Sequence, residues 1–405
     1  MLTKRRKVFC LWSVNAQYDR KRSMIDMVKK LLSVNIVIII LLLFGCSGRS
    51  KIAFSTAGQR EIPFSYAENI KIYKNKDYTI AQLRNPWDTT KVLHTYVLVD
   101  NSKTIPDSLP NGTVIRTPLS KSIVYSSVHC SLLIQLHALS AIKGICDLDY
   151  IFLDEIHKGV ADGQIADIGN SMSPAIEKVI DLHPDAILLS PFQNSGGYGR
   201  IEKLNIPILE CADYMETSAL GRAEWMKFYG ILFGKEAEAD SLFAQIEKNY
   251  KKLMALARSD TKRPTVLSDL KSSSAWYVPG GRSTTGKIYD DANSQYIFSH
   301  TPNSGTIPMA FETVYDKGHN ADCWIIKYTQ PKDKTLSELK ADVSAYTKFK
   351  AFRDGEVYGC NTGRVRFYEE VPFHPDYLLQ DLIKILHPSL LSDYDLKYFR
   401  KLAEN

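Results

Sequence analysis

From Ser218 to Ser259 the chain reads "SALGRAEWMKFYGILFGKEAEADSLFAQIEKNYKKLMALARS", a stretch with no strand pattern. Ala239, Leu242, Phe243, Ile246, Tyr250, Leu253 and Ala257 recur at three- and four-residue steps. That spacing lays one apolar stripe along a helix of about 20 residues. A shorter helix precedes it and ends near Gly234, a residue suited to a left-handed cap. At ~1.5 Å per residue the long helix covers roughly 30 Å, the width of a domain. Whatever precedes and follows it is therefore held apart and joined by one rigid rod.

On both sides of that rod, strands and helices alternate. Upstream, "SIVYSS" is a short apolar strand, "VHCSLLIQLHAL" a helix and "AIKGICD" the next strand. "SPAIEKVIDLHPDAILLS" and "RIEKLNIPILEC" each give a helix and then a strand, with Ser173-Pro174 as a helix-start signal. Downstream, "TVLSDL" is a strand, "SAWYVPGGRS" a loop and "TGKIYDDANSQYIF" a helix with a short following segment. "MAFETVYDKGHNADCWIIKY" and "VSAYTKFKAFRDGEVYGC" each give helix then strand, and "PDYLLQDLIKILHPSLL" is a closing helix. Alternation of this kind builds parallel-type sheets covered by helices. Residues 50–118 differ. "KIYKNKDYTIAQLRN" and "HTYVLVDN" alternate apolar and polar residues and predict a β-rich N-terminal extension.

The N-terminus carries an address. Ile36 to Phe44 is an uninterrupted apolar run of nine residues after Lys29 and Lys30. A spanning helix needs roughly 20, whereas ~7–15 suits the core of a signal peptide. Leu43-Phe44-Gly45-Cys46 resembles the bacterial lipobox, in which the cysteine receives lipid and becomes the mature N-terminus. A complete signal starts at Met27, so the true start is expected at Met24 or Met27. Of the 51 basic and 45 acidic residues, residues 1–45 hold nine and two, leaving 42 and 43 and a formal charge of −1. The basic balance belongs to the leader, and no positive field argues for nucleic acid.

Enzyme signatures are missing from the sequence. G-x-S-x-G, H-E-x-x-H, G-x-x-x-x-G-K-[ST] and G-x-G-x-x-G do not occur. Cys130, Cys146, Cys211, Cys323 and Cys360 have no metal-ligand spacing and read as buried free thiols, with one disulfide left open.

The ordered landmarks "IVYSSVHCSLLIQLHALSAIKGICD", "SPAIEKVIDLHPDAILLS", "LGRAEWMKFYGILFGKEAEAD", "WYVPGG", "FETVYDKGHNADCWII" and "PDYLLQDLIKILHP" span residues 120–391. This set resembles the class III substrate-binding proteins of ABC importers, the group serving ferric siderophores, haem and cobalamin. The resemblance implies two α/β lobes joined by one long helix, with ligand in the cleft and little closure. It implies a non-enzymatic monomer without a cofactor of its own. Its partners would be the importer's membrane subunits, the membrane through a lipid on Cys46, and a ferric siderophore, haem or cobalamin. The location implied is the periplasm or cell envelope. The divisions expected are a leader over 1–45, the lipidated N-terminus and β-rich extension over 46–118, lobes over 119–235 and 260–405, and the linking helix over 236–259. Glu177 and Glu312, one per lobe, match the positions that meet arginines on the membrane subunits. Each also sits where a helix start favours an acid.

In open α/β sheets, ligands gather beyond the carboxyl ends of strands. Residues just past the strands are Ser126, Ser127, His129, Asp147, Tyr150, Phe192, Tyr198 and Arg200, then Trp276, Tyr277, Arg282, Lys327, Tyr328, Arg364, Arg366 and Tyr368. The ligand-binding set expected is Phe192, Tyr198, Arg200, Trp276, Tyr277, Arg282, Tyr328, Arg364 and Arg366. Aromatic faces give rigid contact area, and guanidinium forks bind carboxylate or catecholate oxygens. Two other readings compete. A free-metal (zinc or manganese) binding protein would need histidines among His129, His157, His300, His319 and His374 to converge. A glycan- or partner-binding surface lipoprotein would bind no chelate.

Overall fold

The structure, a computed structural model, describes residues 60–193 and 197–405. The leader, the apolar run and Cys46 lie outside the described residues. Among the described residues the strands form four sheets. The first is the expected β-rich extension. It consists of β1 (Arg60–Ile62), β2 (Ile70–Lys74), β3 (Thr79–Arg84), β4 (Val92–Asp100) and β5 (Thr113–Thr117), side by side in chain order. Its first three pairings are antiparallel and β4–β5 is parallel. Alternation turns Ile70, Ile72, Leu83 and Tyr96 into the core.

The second sheet holds β6 (Ser122–Val124), β7 (Ile142–Ile145), β8 (Ala166–Asp167), β9 (Ala186–Leu189) and β10 (Ile208–Glu210), in the order β10-β9-β6-β7-β8 and parallel throughout. The order reverses beside β6, which makes a switch point of the kind that opens a ligand crevice. The helix start expected at Ser173-Pro174 comes two residues later, over Ile176–Asp181, with Ala175 as its cap.

The C-terminal half contributes β11 (Thr265–Ser268), β12 (Lys271–Ser272), β13 (Ala275–Pro279), β14 (Gln295–Tyr296), β15 (Thr306–Met309), β16 (Cys323–Tyr328), β17 (Val357–Asn361) and β18 (Phe399–Lys401). Five of them form a sheet in the order β14-β11-β16-β17-β18, parallel except for the antiparallel edge strand β18. The other three make a small antiparallel sheet, β12-β13-β15. This corrects the reading of "SAWYVPGGRS" as a loop. Ala275–Pro279 is a strand because its alternate side chains, Trp276 and Val278, face a core, while Tyr277 points out.

The long helix runs Glu236–Ala257, with Ala239, Phe243, Ile246, Tyr250 and Ala257 on its buried stripe. Gly234 precedes it at φ +64°, where Pro118 lies close enough to crowd any side chain. At its far end the Tyr250 hydroxyl donates to Asp291 Oδ2 at 2.7 Å, fastening the rod to the second lobe.

The extension is locked to the first lobe by buried polar groups. The backbone N–H groups of Ser65, Tyr66 and Ala67 donate to Glu224, and those of Glu68 and Asn69 donate to Glu216. Tyr96 on β4 accepts from the Glu210 N–H and donates to the Ile208 carbonyl, which satisfies the open edge of β10. Cys130, Cys146, Cys211, Cys323 and Cys360 are all free and buried. Among the described residues no helix is long and apolar enough to cross a membrane.

Candidate functional site

Two hollows open at the carboxyl ends of the lobe strands. The first, about 420 Å³, is walled by Tyr125 and Ser126 after β6, Asp147 and Tyr150 after β7, Ser171 and Met172 after β8, and Phe192 and Tyr198 after β9. Tyr150, Met172 and Phe192 are 77%, 80% and 50% exposed. These three large side chains give the rim an open, apolar character. A smaller bay beside it joins Phe192 and Tyr198 to Arg200. Tyr198 is fixed by donating its hydroxyl to Glu210 Oε1 at 2.6 Å, and burial and that carboxylate together raise its pKa.

The second hollow, about 890 Å³, lies between the end of the first lobe and the second lobe. Tyr214, Glu216 and Arg222 stand on one side, and Asp269, Tyr277, Thr284, Lys327 and Tyr368 on the other. Tyr277 and Tyr368 are about half exposed, at 48% and 56%. The hollows are linked, because the Tyr214 hydroxyl donates to the Pro191 carbonyl, next to Phe192.

Two of the three cations lining the second hollow, Arg222 and Lys327, are braced from behind by carboxylates. Arg222 donates Nε to Asp213 Oδ2 at 3.0 Å, and Asp213 Oδ1 meets His129 Nε2 at 2.9 Å and the Tyr229 hydroxyl at 3.1 Å. Asp213 is buried, and burial alone would raise its pKa, but His129 and Arg222 outweigh that and hold it at about 2. The terminal nitrogens of Arg222 have no hydrogen-bond partner among the described residues. Lys327 Nζ lies 2.6 Å from Asp269 Oδ1. Burial pushes its pKa down, but the Asp269 carboxylate overrides this and holds it above the usual lysine range. Asp269 itself sits at φ +60°. Its backbone is pinned by two indoles. Trp276 Nε1 donates to the Ser268 carbonyl at 3.0 Å and Trp324 Nε1 to the Asp269 carbonyl at 2.8 Å.

The structure therefore brings together some of the expected residues and separates others. Phe192, Tyr198 and Arg200 share the first lobe's rim, and Tyr277 lines the second hollow. Trp276 lines neither hollow. It is fully buried among Phe311, Trp324, Tyr346 and Phe349, because an inward strand position admits a ring only to the core. Tyr328 accepts the Lys334 N–H and packs over Gly359. Arg364 faces Asp333 at 3.5 Å, and Arg366 pairs with Asp154. Arg282 is exposed outside the wall of either hollow. Glu177 and Glu312 are exposed in the first turns of their helices. Lys327 and Tyr368, read past the strands but set aside, do line the second hollow. Asp269 and Arg222 were missed. Asp269 follows a strand and obeys the strand-end rule. Arg222 lies inside a helical stretch and carries no such signal. Among the described residues no three His, Cys, Asp or Glu side chains come together to hold a metal ion.

The sequence profile of a periplasmic binding protein family matches residues 152–362, just over half of the chain. The chain belongs to this family of periplasmic binding proteins. The family is one of solute-binding transport proteins and not of enzymes. The binding protein is 28% identical over 411 residues to an uncharacterized lipoprotein of Methanocaldococcus jannaschii, covering 92% of this chain and 96% of that one. Its fold matches a possible iron-binding (periplasmic solute-binding) protein from Staphylococcus epidermidis at TM-score 0.53 and 18% identity, over 67% of this chain and 100% of that one. It also matches a periplasmic heme binding protein from Pseudomonas aeruginosa at TM-score 0.52 and 14% identity, over 67% of this chain and 94% of that one. The α/β fold is thus that of solved two-lobed periplasmic binding proteins.

Proposed function

We propose that this binding protein captures a ferric siderophore, haem or cobalamin in the cleft and delivers it to the membrane subunits of an ABC importer, held to the membrane by lipid on Cys46. One observation carries the reading. Tyr277 and Tyr368 stand in the same hollow as Arg222, which is braced by Asp213 and has its terminal nitrogens unengaged within the described residues. Aromatic walls beside a fixed guanidinium suit a large, flat ligand that bears carboxylate or catecholate oxygens. The hollow's size, about 890 Å³, falls within the ~300–1,000 Å³ common for small-molecule sites. The iron- and heme-binding names of the fold neighbours and the lipoprotein name of the M. jannaschii relative support the same reading. Glu177 and Glu312 are its docking charges, and Phe192, Tyr198 and Arg200 its first-lobe contacts. Titration of the purified protein with haem, a ferric tricatecholate and cobalamin tests the reading. One of the three should bind in the micromolar range or tighter, and failure of all three would remove the proposed ligand class.

A further inference from the structure

Behind the second hollow lies a separate cavity of about 210 Å³. Five residues line both spaces: Arg222, Thr284, Thr285, Lys327 and Tyr368. They form a polar collar between cleft and cavity. Beyond the collar the wall is apolar, made by Ile288, Ile325, Phe367, Leu378, Leu382 and Phe399, each less than a tenth exposed. Tyr289 is also there, but its hydroxyl is spent on Ser268 Oγ at 3.1 Å. Protein interiors keep few voids larger than a water molecule. A water in such a space needs ~2–4 polar partners, and an apolar cavity of about 150 Å³ stays dry and accepts benzene. This cavity is larger than that and meets the cleft at two cations, Arg222 and Lys327.

We propose that the cavity is a subsite for an apolar arm of the ligand, the size of one aromatic ring or a short branched alkyl group, attached to an anionic group held at the collar by Arg222 and Lys327. The inference rests on the reading of the cleft as the ligand-capturing site and narrows it. The captured molecule is an anion with a protruding hydrophobic substituent, not a uniformly polar chelate. Arg222 suits the anion because Asp213 holds one edge of its guanidinium and leaves the other edge without a protein partner among the described residues. Lys327 gives the second charge and Thr285 adds a hydroxyl at the rim, whereas the Thr284 hydroxyl is spent on the Glu216 carbonyl at 2.8 Å.

The test uses propionate and 3-phenylpropionate as probes on the full-length protein, followed by calorimetry and by ligand-to-protein NOEs. Burying one phenyl ring should make phenylpropionate bind ~10–100-fold more tightly than propionate. Its ring protons should show NOEs to the methyls of Leu378 and Leu382. The uncharged 3-phenylpropionamide should bind more weakly than 3-phenylpropionate, because it keeps the ring and loses the charge held at the collar. Leu378→Trp, which fills the cavity, should bring the ratio of the two acids to about one. Ile288→Phe fills it from another element and serves if the first variant does not fold. Equal affinities for the two acids, NOEs elsewhere, or an unchanged ratio in a folded filled variant would overturn the proposal. Chelate titrations read the cleft separately. A bound chelate without a phenyl gain removes the subsite alone, and a phenyl gain without any bound chelate removes the chelate reading alone.

Discussion

Arg366 Nη2 lies 2.7 Å from Asp154 Oδ2, an ion pair that reaches from the second lobe to the first across 212 positions of sequence. The backbone N–H of Phe152 adds a second tie by donating to Glu369 Oε1 at 2.7 Å. Arg366 is therefore occupied in holding lobe to lobe. Asp154 is almost fully exposed, so the pair contributes at most ~0.2–1 kcal/mol. Arg366→Ala should shift the urea midpoint little and leave affinity for haem or a ferric tricatecholate within about threefold. A tenfold loss of affinity would return Arg366 to the ligand.

Trp276 predicts the opposite balance. It is fully enclosed by rings, and its indole N–H holds the Ser268 carbonyl. Trp276→Ala should destabilise the fold by about 3–5 kcal/mol in urea unfolding. Tyr277→Ala, its exposed neighbour, should leave unfolding within about 0.5 kcal/mol and weaken ligand binding by ~2 kcal/mol if it is a central contact.

Acid should act through Asp213. Its pKa in the folded chain is about 2, below the ~3.9 of an unfolded aspartate. A lowered folded value means that the stabilisation is full above the unfolded pKa and is lost as pH falls through about 4 towards 2. The effect is ~2 kcal/mol. Stability measured from pH 6 down to pH 2 should fall less steeply in Asp213→Asn, whose total stability at pH 6 is already reduced. Parallel profiles would assign the acid sensitivity to other carboxylates.

Docking is tested by charge reversal. Glu177 and Glu312 are exposed, and neither lines the hollows. Glu177→Arg with Glu312→Arg should abolish uptake while ligand affinity and thermal unfolding stay unchanged, with milder single variants. Normal uptake by the double variant would remove the docking assignment.

Processing is tested at Cys46. Cys46→Ala should leave the precursor uncleaved and free of lipid label. Normal maturation and membrane partition of that variant would end the lipobox reading.

The fold was legible where periodicity is strong. The stripe from Ala239 to Ala257 announces the rod, and the alternation of Ile70, Ile72 and their neighbours announces the extension's sheet. The site was half legible. The strand-end rule reaches Phe192, Tyr198 and Tyr277 because a strand end fixes where the next few residues stand. Trp276 and Tyr277 read as parts of a loop and so are assigned alike, whereas the strand they form turns one ring inward and the other outward. The strand-end rule cannot see Arg222, whose placement depends on Asp213 and His129 meeting across 84 positions. Arg364 and Arg366 share a basic, aromatic-rich loop, but their acidic partners, Asp333 and Asp154, are far away in sequence.

The indoles of Trp276 and Trp324 give the protein a built-in optical gauge. Each donates its N–H to a carbonyl of the Ser268–Asp269 corner, and Asp269 is the ion-pair partner of Lys327. Indole emission responds to the strength of that hydrogen bond and to the field of nearby charge. If the proposed anion draws Lys327 away from Asp269, its binding should register as a spectral shift, without a dye or a tag, from two indoles that line neither hollow.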